Sequence, residues 1–295
     1  MKLSVALAIF NEEKAIARCL ESVYEIADEI VIVDGGSTDK TLKLVKELDK
    51  SSKIHIFNEE NPPMFHINKQ KALEKCKGDW ILQLDADEVV SEELAREIKI
   101  VIEERNVVIP AKAGIHGSPI GVGDDKTILQ NDKFVAYWIP RLNYFLGKPL
   151  RKGGQYPDHT IRLYRNGKAK FPCKSVHEQV EVRRTETLSE QSESKGQISY
   201  LKQDLLHFPY QTFGDYVNKW IRYGMLEADL AYQLGEKPSA FNFVLYIIVY
   251  PKWWFLKTYF RHKGFMDGFS GFVFSLFSSL RYWITYIRLY ELTRI

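Results

Sequence analysis

Four short apolar runs alternate with helical segments over the first 88 residues of this chain. The runs are rich in β-branched residues and cover residues 3–10, 29–33, 54–57 and 80–84. Between them, apolar residues recur at spacings of three and four, which is typical of helices packed on one face. Strands that alternate with helices are joined by crossovers, and crossover connections make the strands parallel. The sequence therefore predicts an α/β fold with a doubly wound, mostly parallel sheet.

Polar residues follow three of these strands. Asn11 follows the first strand, Asp34 the second and Asp85 the fourth. Because ligands of open α/β sheets bind at the carboxyl ends of the strands, these residues predict a nucleotide-binding edge. Asn11 is also expected to begin the first helix, and the third helix is expected over residues 68–76 with Gly78 as its C-cap.

Asp85 and Asp87 stand one residue apart at the end of the fourth strand. Side chains alternate along a strand, so the two carboxylates are expected to point the same way. Such a pair suits a divalent cation that carries a phosphorylated ligand. The alternative is that the two acids merely cap the next helix.

Several motifs resemble the inverting glycosyltransferases of family 2, which have the GT-A fold. The motifs shared with the whole family cover residues 8–13, 33–41 and 84–88. Further segments resemble the branch that adds glucose or similar sugars to the inner core of bacterial lipopolysaccharide, and they cover residues 144–147, 153–158, 162–165 and 176–178.

The resemblance implies a metal-dependent enzyme. It would move a sugar, with glucose favoured, from a nucleotide-diphosphate donor, with uridine favoured, to a lipopolysaccharide core or related glycan. The implied cofactor is Mn²⁺ or Mg²⁺, with Asp87 as the first choice of direct ligand. Asp85 would touch the sugar or act on the metal through water. His207 is a further candidate ligand, since some GT-A enzymes use a late histidine.

Donor binding is carried over from the family to residues that follow the first two strands, namely Phe10, Asn11, Glu12, Asp34 and Ser37. Asp34 would bond the base, while Asn11 and Asp34 could also cap helices. The family usually has an arginine before its third helix that contacts the diphosphate, and Lys69 stands there. Lysine keeps the charge but loses the bidentate fork.

The general base is the least determined of the implied roles. Many family members have a late Glu-Asp pair, which this chain lacks, and Glu178 occupies the nearest equivalent place. Asp158 is the rival, although it could instead orient Arg162 or the acceptor. His177 could steer the Glu178 carboxylate. Arg162 and Arg165 could grip an anionic acceptor or form surface ion pairs.

The last 55 residues are basic and aromatic. Residues 241–295 carry seven basic and two acidic side chains, a net charge of +5, whereas the whole chain has a net charge of +3. Their uncharged runs are shorter than the roughly 20 residues that span a bilayer. One apolar stripe at helical spacing contains Phe265, Phe269, Phe272, Leu276, Leu280, Trp283 and Ile287. These features predict a helical region at a membrane interface, and the alternative is a helical subdomain.

The predicted organisation is therefore a catalytic domain over residues 1–235 and a membrane-interface region over residues 236–295. Residues 106–133 have no sustained period and contain two prolines, so they are interpreted as a surface insertion, with a functional lid as the alternative. The charged residues 12–13 directly follow the first apolar run, which favours a strand over a secretion signal. Three scattered cysteines suit a reducing compartment. We therefore expect a cytoplasmic protein, peripheral on the inner face of the cytoplasmic membrane.

The same residues bear on three alternative functions. A polyprenyl-phosphate glycosyltransferase would share the fold and the metal motif, but its phosphate acceptor needs no base, so Glu178 argues against it. A non-catalytic membrane adaptor is disfavoured by the intact Asp34, Asp85 and Asp87. A nucleic-acid partner is disfavoured because the basic excess lies in an aromatic tail. The expected partners are a nucleotide-sugar donor and a glycolipid acceptor, and homo-oligomer formation is left open.

Overall fold

The computed structural model describes residues 1–103, 106–108, 128–130, 134–173, 180–182 and 197–294. The chain forms two compact units, the first with residues 1–140 and 159–205 and the second with residues 141–158 and 206–295. The predicted boundary at residue 235, between a catalytic domain and a membrane-interface region, stays a prediction.

The strands are β1 (Leu3–Ile9), β2 (Glu29–Asp34), β3 (Ile54–Asn58), β4 (Trp80–Leu84), β5 (Glu88–Val90), β6 (Asn106–Val108), β7 (Ile128–Gln130), β8 (Phe134–Phe145), β9 (Lys148–Pro149), β10 (Asp158–Arg165), β11 (Ala169–Lys170), β12 (Glu181–Val182), β13 (Gln197–Tyr200) and β14 (Leu205–His207). The helices are α1 (Ile16–Tyr24), α2 (Thr41–Leu48), α3 (His66–Lys75), α4 (Glu92–Glu103), α5 (Phe213–Gln233), α6 (Ala240–Val244), α7 (Tyr250–Phe255) and α8 (Gly268–Leu292). Shorter π-helical turns follow α6 (Leu245–Val249) and α7 (Leu256–Arg261), and a 3₁₀ turn (Gly264–Asp267) precedes α8.

The main sheet of the first unit has the strand order β3-β2-β1-β4-β10-β8. The four strands β1 to β4 are parallel, whereas β10 pairs antiparallel with β4. All four predicted strands occur within one residue of their predicted bounds. The predicted mostly parallel α/β sheet is confirmed, and so is the helical carboxyl-terminal region.

Helices and loops cover both faces of this sheet, because successive side chains of each strand enter different apolar clusters. In β2, Ile30 and Ile32 belong to one buried cluster, and Val31 and Val33 belong to the other. A strand buried on both faces needs a continuous apolar run, which is the pattern that made these strands recognisable.

Two predicted helix ends are wrong. Helix α1 begins at Ile16 and not at Asn11, because Asn11 has a left-handed backbone (φ 55°) and its side chain accepts from the N–H of Thr38. Gly78 does not cap α3, which ends at Lys75. The N–H of Gly78 instead donates to Ser4 Oγ at 2.7 Å, and a Cβ there would lie 2.8 Å from the Ser4 nitrogen, so close approach to β1 requires glycine.

The two ends of the predicted insertion are joined, since β6 pairs antiparallel with β7. Residues 104–105, 109–127 and 131–133 lie outside the described residues. The strand predicted to follow the insertion is β8, which begins at Phe134 as expected.

The second unit is built on α5 and α8. Thr212 and Asp215 form a reciprocal capping box at the start of α5. In the described part of the chain, none of the helices combines the length and the apolarity that a bilayer crossing requires.

Candidate functional site

The carboxyl ends of β1, β2 and β4 lie level along one edge of the first unit's sheet. Ile9 is paired with Asp34 across β1 and β2, and Leu7 with Leu84 across β1 and β4. This register places the loops that follow the three strands side by side, which is the arrangement the sequence predicted.

Asp34 organises the loop after β2. Its side chain is almost fully buried, and its Oδ2 accepts from the backbone N–H groups of Gly36 (3.0 Å) and Ser37 (2.9 Å), while Oδ1 accepts from the Ser37 hydroxyl. The Ser37 hydroxyl also accepts from the Asn11 N–H at 2.9 Å, and Asn11 Oδ1 accepts from the Thr38 N–H at 2.8 Å. These bonds fix the two loops to each other, and neither Asn11 nor Asp34 caps a helix.

Two further predicted donor contacts lie beside these loops. Phe10 follows β1 and is 42% exposed, which is unusual for an aromatic residue next to a buried strand. The N–H of Glu12 donates to Thr41 Oγ1 at 2.7 Å, so the loop after β1 is also tied to the start of α2. An exposed ring and a fixed polar loop together form a surface on which a nucleoside can stack.

Asp85 lies in a buried network of charges. Its Oδ1 is 2.5 Å from Lys69 Nζ, and its Oδ2 is 2.6 Å from Arg162 Nη2. Arg162 Nη2 is also 2.8 Å from Glu88 Oε1, and Nη1 donates to Gln83 Oε1. The network contains two cations and two anions, so it is electrically balanced.

The network sets the ionisation of Asp85. Burial alone would raise the pKa of this carboxyl, but the charges of Arg162 and Lys69 outweigh burial and hold the pKa well below its usual range. The opposite charges of Asp85 and Glu88 likewise raise the pKa of Arg162. The prediction that Arg162 binds phosphate or forms a surface pair is wrong, because its side chain is buried and paired inside the unit.

Asp87 lies in the turn between β4 and β5 with its side chain partly exposed. The strand ends at Leu84, and the Glu88 N–H closes the turn onto the Asp85 carbonyl at 3.0 Å. The prediction that Asp85 and Asp87 point the same way was based on the alternation of side chains along a strand. That reason is wrong, because Asp87 lies in a turn after the strand has ended.

The carboxylates at this edge are close enough to act on one buried thiol. Burial first, and then the charges of Glu88, Asp87, Asp85 and Glu12, raise the pKa of the Cys19 thiol well above its ordinary value. Cys19 Sγ also lies 3.6 Å from the Asp85 carbonyl oxygen, so the turn after β4 contacts α1.

The donor set at this edge suits a metal ion held in part by a ligand's phosphates. Within the described ranges, there is no group of three or more histidine, cysteine or acidic side chains that could hold a metal by itself. Both Asp85 oxygens face cations, and Asp87 is the partly exposed carboxylate two residues further along the same turn. Mg²⁺ commonly binds through one or two carboxylates together with substrate phosphates, so a site based on Asp87 fits that chemistry.

A second polar cluster lies within the second unit. Asp158 Oδ2 accepts from Arg141 Nε (2.9 Å) and Nη2 (2.6 Å) and from Asn143 Nδ2 (3.3 Å). Asn143 Oδ1 lies 2.6 Å from His207 Nδ1. Because Asn143 faces His207 with its oxygen, Nδ1 of His207 is the donor of this hydrogen bond.

The predicted site residues thus fall into three groups. Phe10, Asn11, Glu12, Asp34, Ser37, Lys69, Asp85 and Asp87 lie at the strand edge of the first unit. Asp158 and His207 are joined through Asn143 in the second unit. His177 and Glu178 lie outside the described residues.

Sequence reasoning missed the partners of these residues. Gln83 is a polar residue in an otherwise apolar strand, and Arg141 and Asn143 are polar positions within the long strand β8. Polar residues in buried strands are a usable signal, because burial requires a hydrogen-bond partner.

Comparison with known proteins matches residues 4–169 to the model of glycosyl transferase family 2. An uncharacterised glycosyltransferase of Rickettsia typhi (strain ATCC VR-144 / Wilmington) is 28% identical over 296 residues, which cover 99% of this chain and 88% of the relative. The lipopolysaccharide core biosynthesis glycosyltransferase LpsC of Rhizobium meliloti (strain 1021) is 26% identical over 293 residues, covering 99% and 93%. The crystal structure of S. aureus TarS 1–349 in complex with UDP aligns over 95% of this chain and 89% of that chain, with 16% identity and a TM-score of 0.42.

Proposed function

The chain belongs to glycosyl transferase family 2, and on that basis we propose that it transfers glucose from UDP-glucose to the core of lipopolysaccharide with inversion at the anomeric carbon. The observation that carries the proposal is the level edge of β1, β2 and β4, where the fixed loops of Asn11 and Asp34 adjoin the charge network of Asp85.

The nucleoside is proposed to lie against the loops after β1 and β2. Phe10 offers an exposed ring, and Asn11, Glu12 and Ser37 border it. Asp34 is proposed to accept from the base. A carboxylate has about four lone-pair sites, and three hydrogen bonds to its own turn leave one for that contact.

The diphosphate is proposed to lie near Lys69 and Asp87. Asp87 would hold a divalent cation, Mn²⁺ or Mg²⁺, together with the donor's phosphates. When bound there, such a cation would supply positive charge against the negative charge that develops on the leaving diphosphate. Asp85 is proposed to contact the sugar or a metal-bound water while it keeps Lys69 and Arg162 in place.

The transfer requires a base for the acceptor hydroxyl. The hydroxyl oxygen attacks the anomeric carbon as the bond to the diphosphate breaks, and its proton passes to a carboxylate. Glu178 is the first candidate for that carboxylate and Asp158 the second. These roles and that of His207 stay predictions.

The acceptor is proposed to be a glycolipid presented at the inner face of the cytoplasmic membrane, with the enzyme bound there peripherally. The relative named for lipopolysaccharide core biosynthesis aligns with 99% of this chain, which favours that class of acceptor. The basic, aromatic end of the chain favours a membrane-bound acceptor over a soluble sugar.

Donor binding by calorimetry tests the first half of the proposal. Wild type, Asp87→Asn and the control Glu92→Gln are titrated with UDP, UDP-glucose, UDP-galactose and GDP-mannose, with and without Mn²⁺. Glu92 is a suitable control because its side chain is 90% exposed at the start of α4. We expect Mn²⁺-dependent binding of UDP-glucose that Asp87→Asn abolishes and Glu92→Gln keeps.

Transfer assays test the second half. Lipopolysaccharide with a truncated core and a polyprenyl phosphate are offered with the donor that binds, and the anomeric configuration of the product is read by NMR. Transfer to the truncated core with inversion supports the proposal. Transfer to the polyprenyl phosphate alone, or binding of GDP-mannose in place of UDP-glucose, contradicts it.

A further inference from the structure

Helix α8 buries mostly small and polar residues and exposes several large apolar ones. Its buried residues are Ser270, Gly271, Val273, Ser275, Ser279, Thr285 and Leu289. Its exposed residues include Phe269, Phe272, Trp283, Ile287 and Tyr290. A surface helix of a protein in water normally turns its large apolar side chains inward, whereas α8 leaves several of them exposed.

Small residues let the helices of the second unit approach closely. A Cβ added to Gly224 of α5 would lie 2.7 Å from Ile284 Cγ2 of α8. A Cβ added to Gly271 would lie 2.0 Å from the Gly264 carbonyl oxygen. Close packing through small residues, with apolar side chains turned outward, is typical of helices in apolar surroundings.

The segment before α8 shows the same outward pattern. Exposed apolar side chains recur along residues 240–261, and they include Phe241, Val244, Ile248, Trp253, Leu256 and Phe260.

Cations surround this apolar stripe. Lys257 Nζ lies 4.8 Å from the ring centroid of Trp253 and 5.0 Å from that of Trp254. Arg261 and Lys263 are exposed in the turn that leads into α8. A bilayer that carries anionic lipids attracts cations of this kind next to aromatic residues.

The loop before β10 brings two more cations to the same turn. The N–H groups of Arg151 and Lys152 donate to the Asp267 carboxylate at 3.2 and 2.8 Å. The N–H of Gly153 donates to the His262 carbonyl at 2.9 Å. The Asp267 charge is thereby bonded to backbone, while the Arg151 and Lys152 side chains are exposed.

The turn itself carries three exposed apolar side chains. Phe265, Met266 and Phe269 are 49%, 59% and 74% exposed. With Arg261, Lys263 and the loop residues Arg151 and Lys152, they form a surface that we call the basic aromatic tip. The tip therefore combines apolar side chains that can insert into a bilayer with cations that attract anionic headgroups.

We propose that the basic aromatic tip and the adjoining stripe of residues 240–261 lie in the interface of a bilayer that contains anionic lipids, with the tip entering the headgroup region. This inference rests on the proposed function, since a bilayer would present the glycolipid acceptor. A lipid surface explains both observations, because the outward aromatic residues need an apolar phase and the cations need anionic headgroups.

Vesicle sedimentation of the full-length chain tests the inference. The vesicles are phosphatidylcholine alone or phosphatidylcholine with phosphatidylglycerol. We expect wild type to prefer the anionic vesicles and to lose affinity as salt rises. Arg261→Gln with Lys263→Gln should lower that affinity about fivefold per cation. Phe265→Ser with Met266→Ser and Phe269→Ser should lower it at least about tenfold.

The matched control is Leu230→Ser with Leu234→Ser, which removes two exposed apolar side chains at the end of α5 in the same unit. It should keep the wild-type affinity within about twofold. Equal losses in the tip and control variants, or no vesicle binding by wild type, overturn the inference. The inference is also overturned if wild type does not bind vesicles but is a dimer by sedimentation velocity, and if the tip variant alone is a monomer.

Donor calorimetry separates this inference from the proposed function. The tip variant should bind donor as wild type does, which also shows that it is folded. Vesicle binding without donor binding by wild type would refute the proposed donor and leave the membrane surface standing. Donor binding without vesicle binding would do the opposite.

Discussion

Replacement of Arg162 by methionine tests whether the charge network at the strand edge is buried as described. The guanidinium lies 2.6 Å from Asp85 and 2.8 Å from Glu88, and its side chain is 9% exposed. Without it, Asp85 keeps its ion pair with Lys69, whereas the fully buried Glu88 loses its ion pair with Arg162. Removal of one partner from a buried ion pair typically destabilises a protein by about 3–5 kcal/mol, and we expect a loss in this range.

Hydrogen exchange is the suitable assay because it reports on the first unit alone. Amides of β4 (Trp80–Leu84) lie in the centre of that unit's sheet, and their opening free energy should fall with the stability of the unit. A loss of about 3–5 kcal/mol corresponds to exchange that is faster by about two to four orders of magnitude. Arg162→Lys keeps one charge but not the fork, so its loss should be smaller.

The control is Arg96→Met on α4. Arg96 pairs with Glu92 and Glu93 at the surface, with its side chain 66% exposed, and exposed pairs contribute about 0–1 kcal/mol. Glu88→Gln added to Arg162→Met should recover part of the loss, because it removes the buried negative charge that faced the guanidinium. Protection in Arg162→Met that matches Arg96→Met within about 1 kcal/mol would refute the buried network.

Three further predictions use other parts of the chain. Burial would raise the pKa of Glu29, but hydrogen bonds from a serine hydroxyl and two backbone N–H groups lower it. Glu29 therefore stabilises the folded protein at pH values above its pKa in the unfolded chain, and this stabilisation is lost as the pH falls through its pKa in the folded protein. The free energy of unfolding of Glu29→Gln should therefore depend less on pH in the acidic range than that of wild type. Gly224→Ala should destabilise the second unit by about 1–3 kcal/mol in urea unfolding, because its Cβ would lie 2.7 Å from Ile284. Gly214→Ala on the same helix is the control, because its Cβ would make only an ordinary contact at 3.5 Å and should not destabilise the unit. Burial raises the pKa of the Cys76 thiol to about 12 and also raises the pKa of the Cys19 thiol. Iodoacetamide should therefore react first with the partly exposed Cys173, as followed by mass spectrometry. Equal labelling of all three cysteines would contradict the burial of Cys19 and Cys76.

The sequence predicted the sheet well because its strands are buried on both faces. An uninterrupted apolar run such as Trp80–Leu84 is both the physical requirement and the visible signal. The strand ends were also predictable, since parallel pairing fixes which ends lie together. The start of α1 was not, because Asn11 has a left-handed backbone held by bonds to a loop 26 and 27 residues away.

The partners within the candidate site were less predictable than its position. Arg162 is 77 residues from Asp85 in the chain, and the antiparallel insertion of β10 beside β4 is what brings them together. Charged side chains suggest exposure when they are considered one at a time. Only the paired arrangement makes burial of Arg162 favourable, and pairing is a property of the sheet order.

The close contact of α5 and α8 has a consequence for how the protein is handled in the laboratory. The contact includes aromatic pairs such as Phe213–Phe277 and Trp220–Phe277, while other aromatic side chains of the same unit stay exposed. Apolar surface that is already exposed in the folded unit adds nothing to the heat-capacity increment of unfolding, so this increment per residue should be lower than that of an ordinary domain. A mild non-ionic detergent, which covers the outward aromatic side chains without entering the contact, should raise its melting temperature and prevent aggregation during purification.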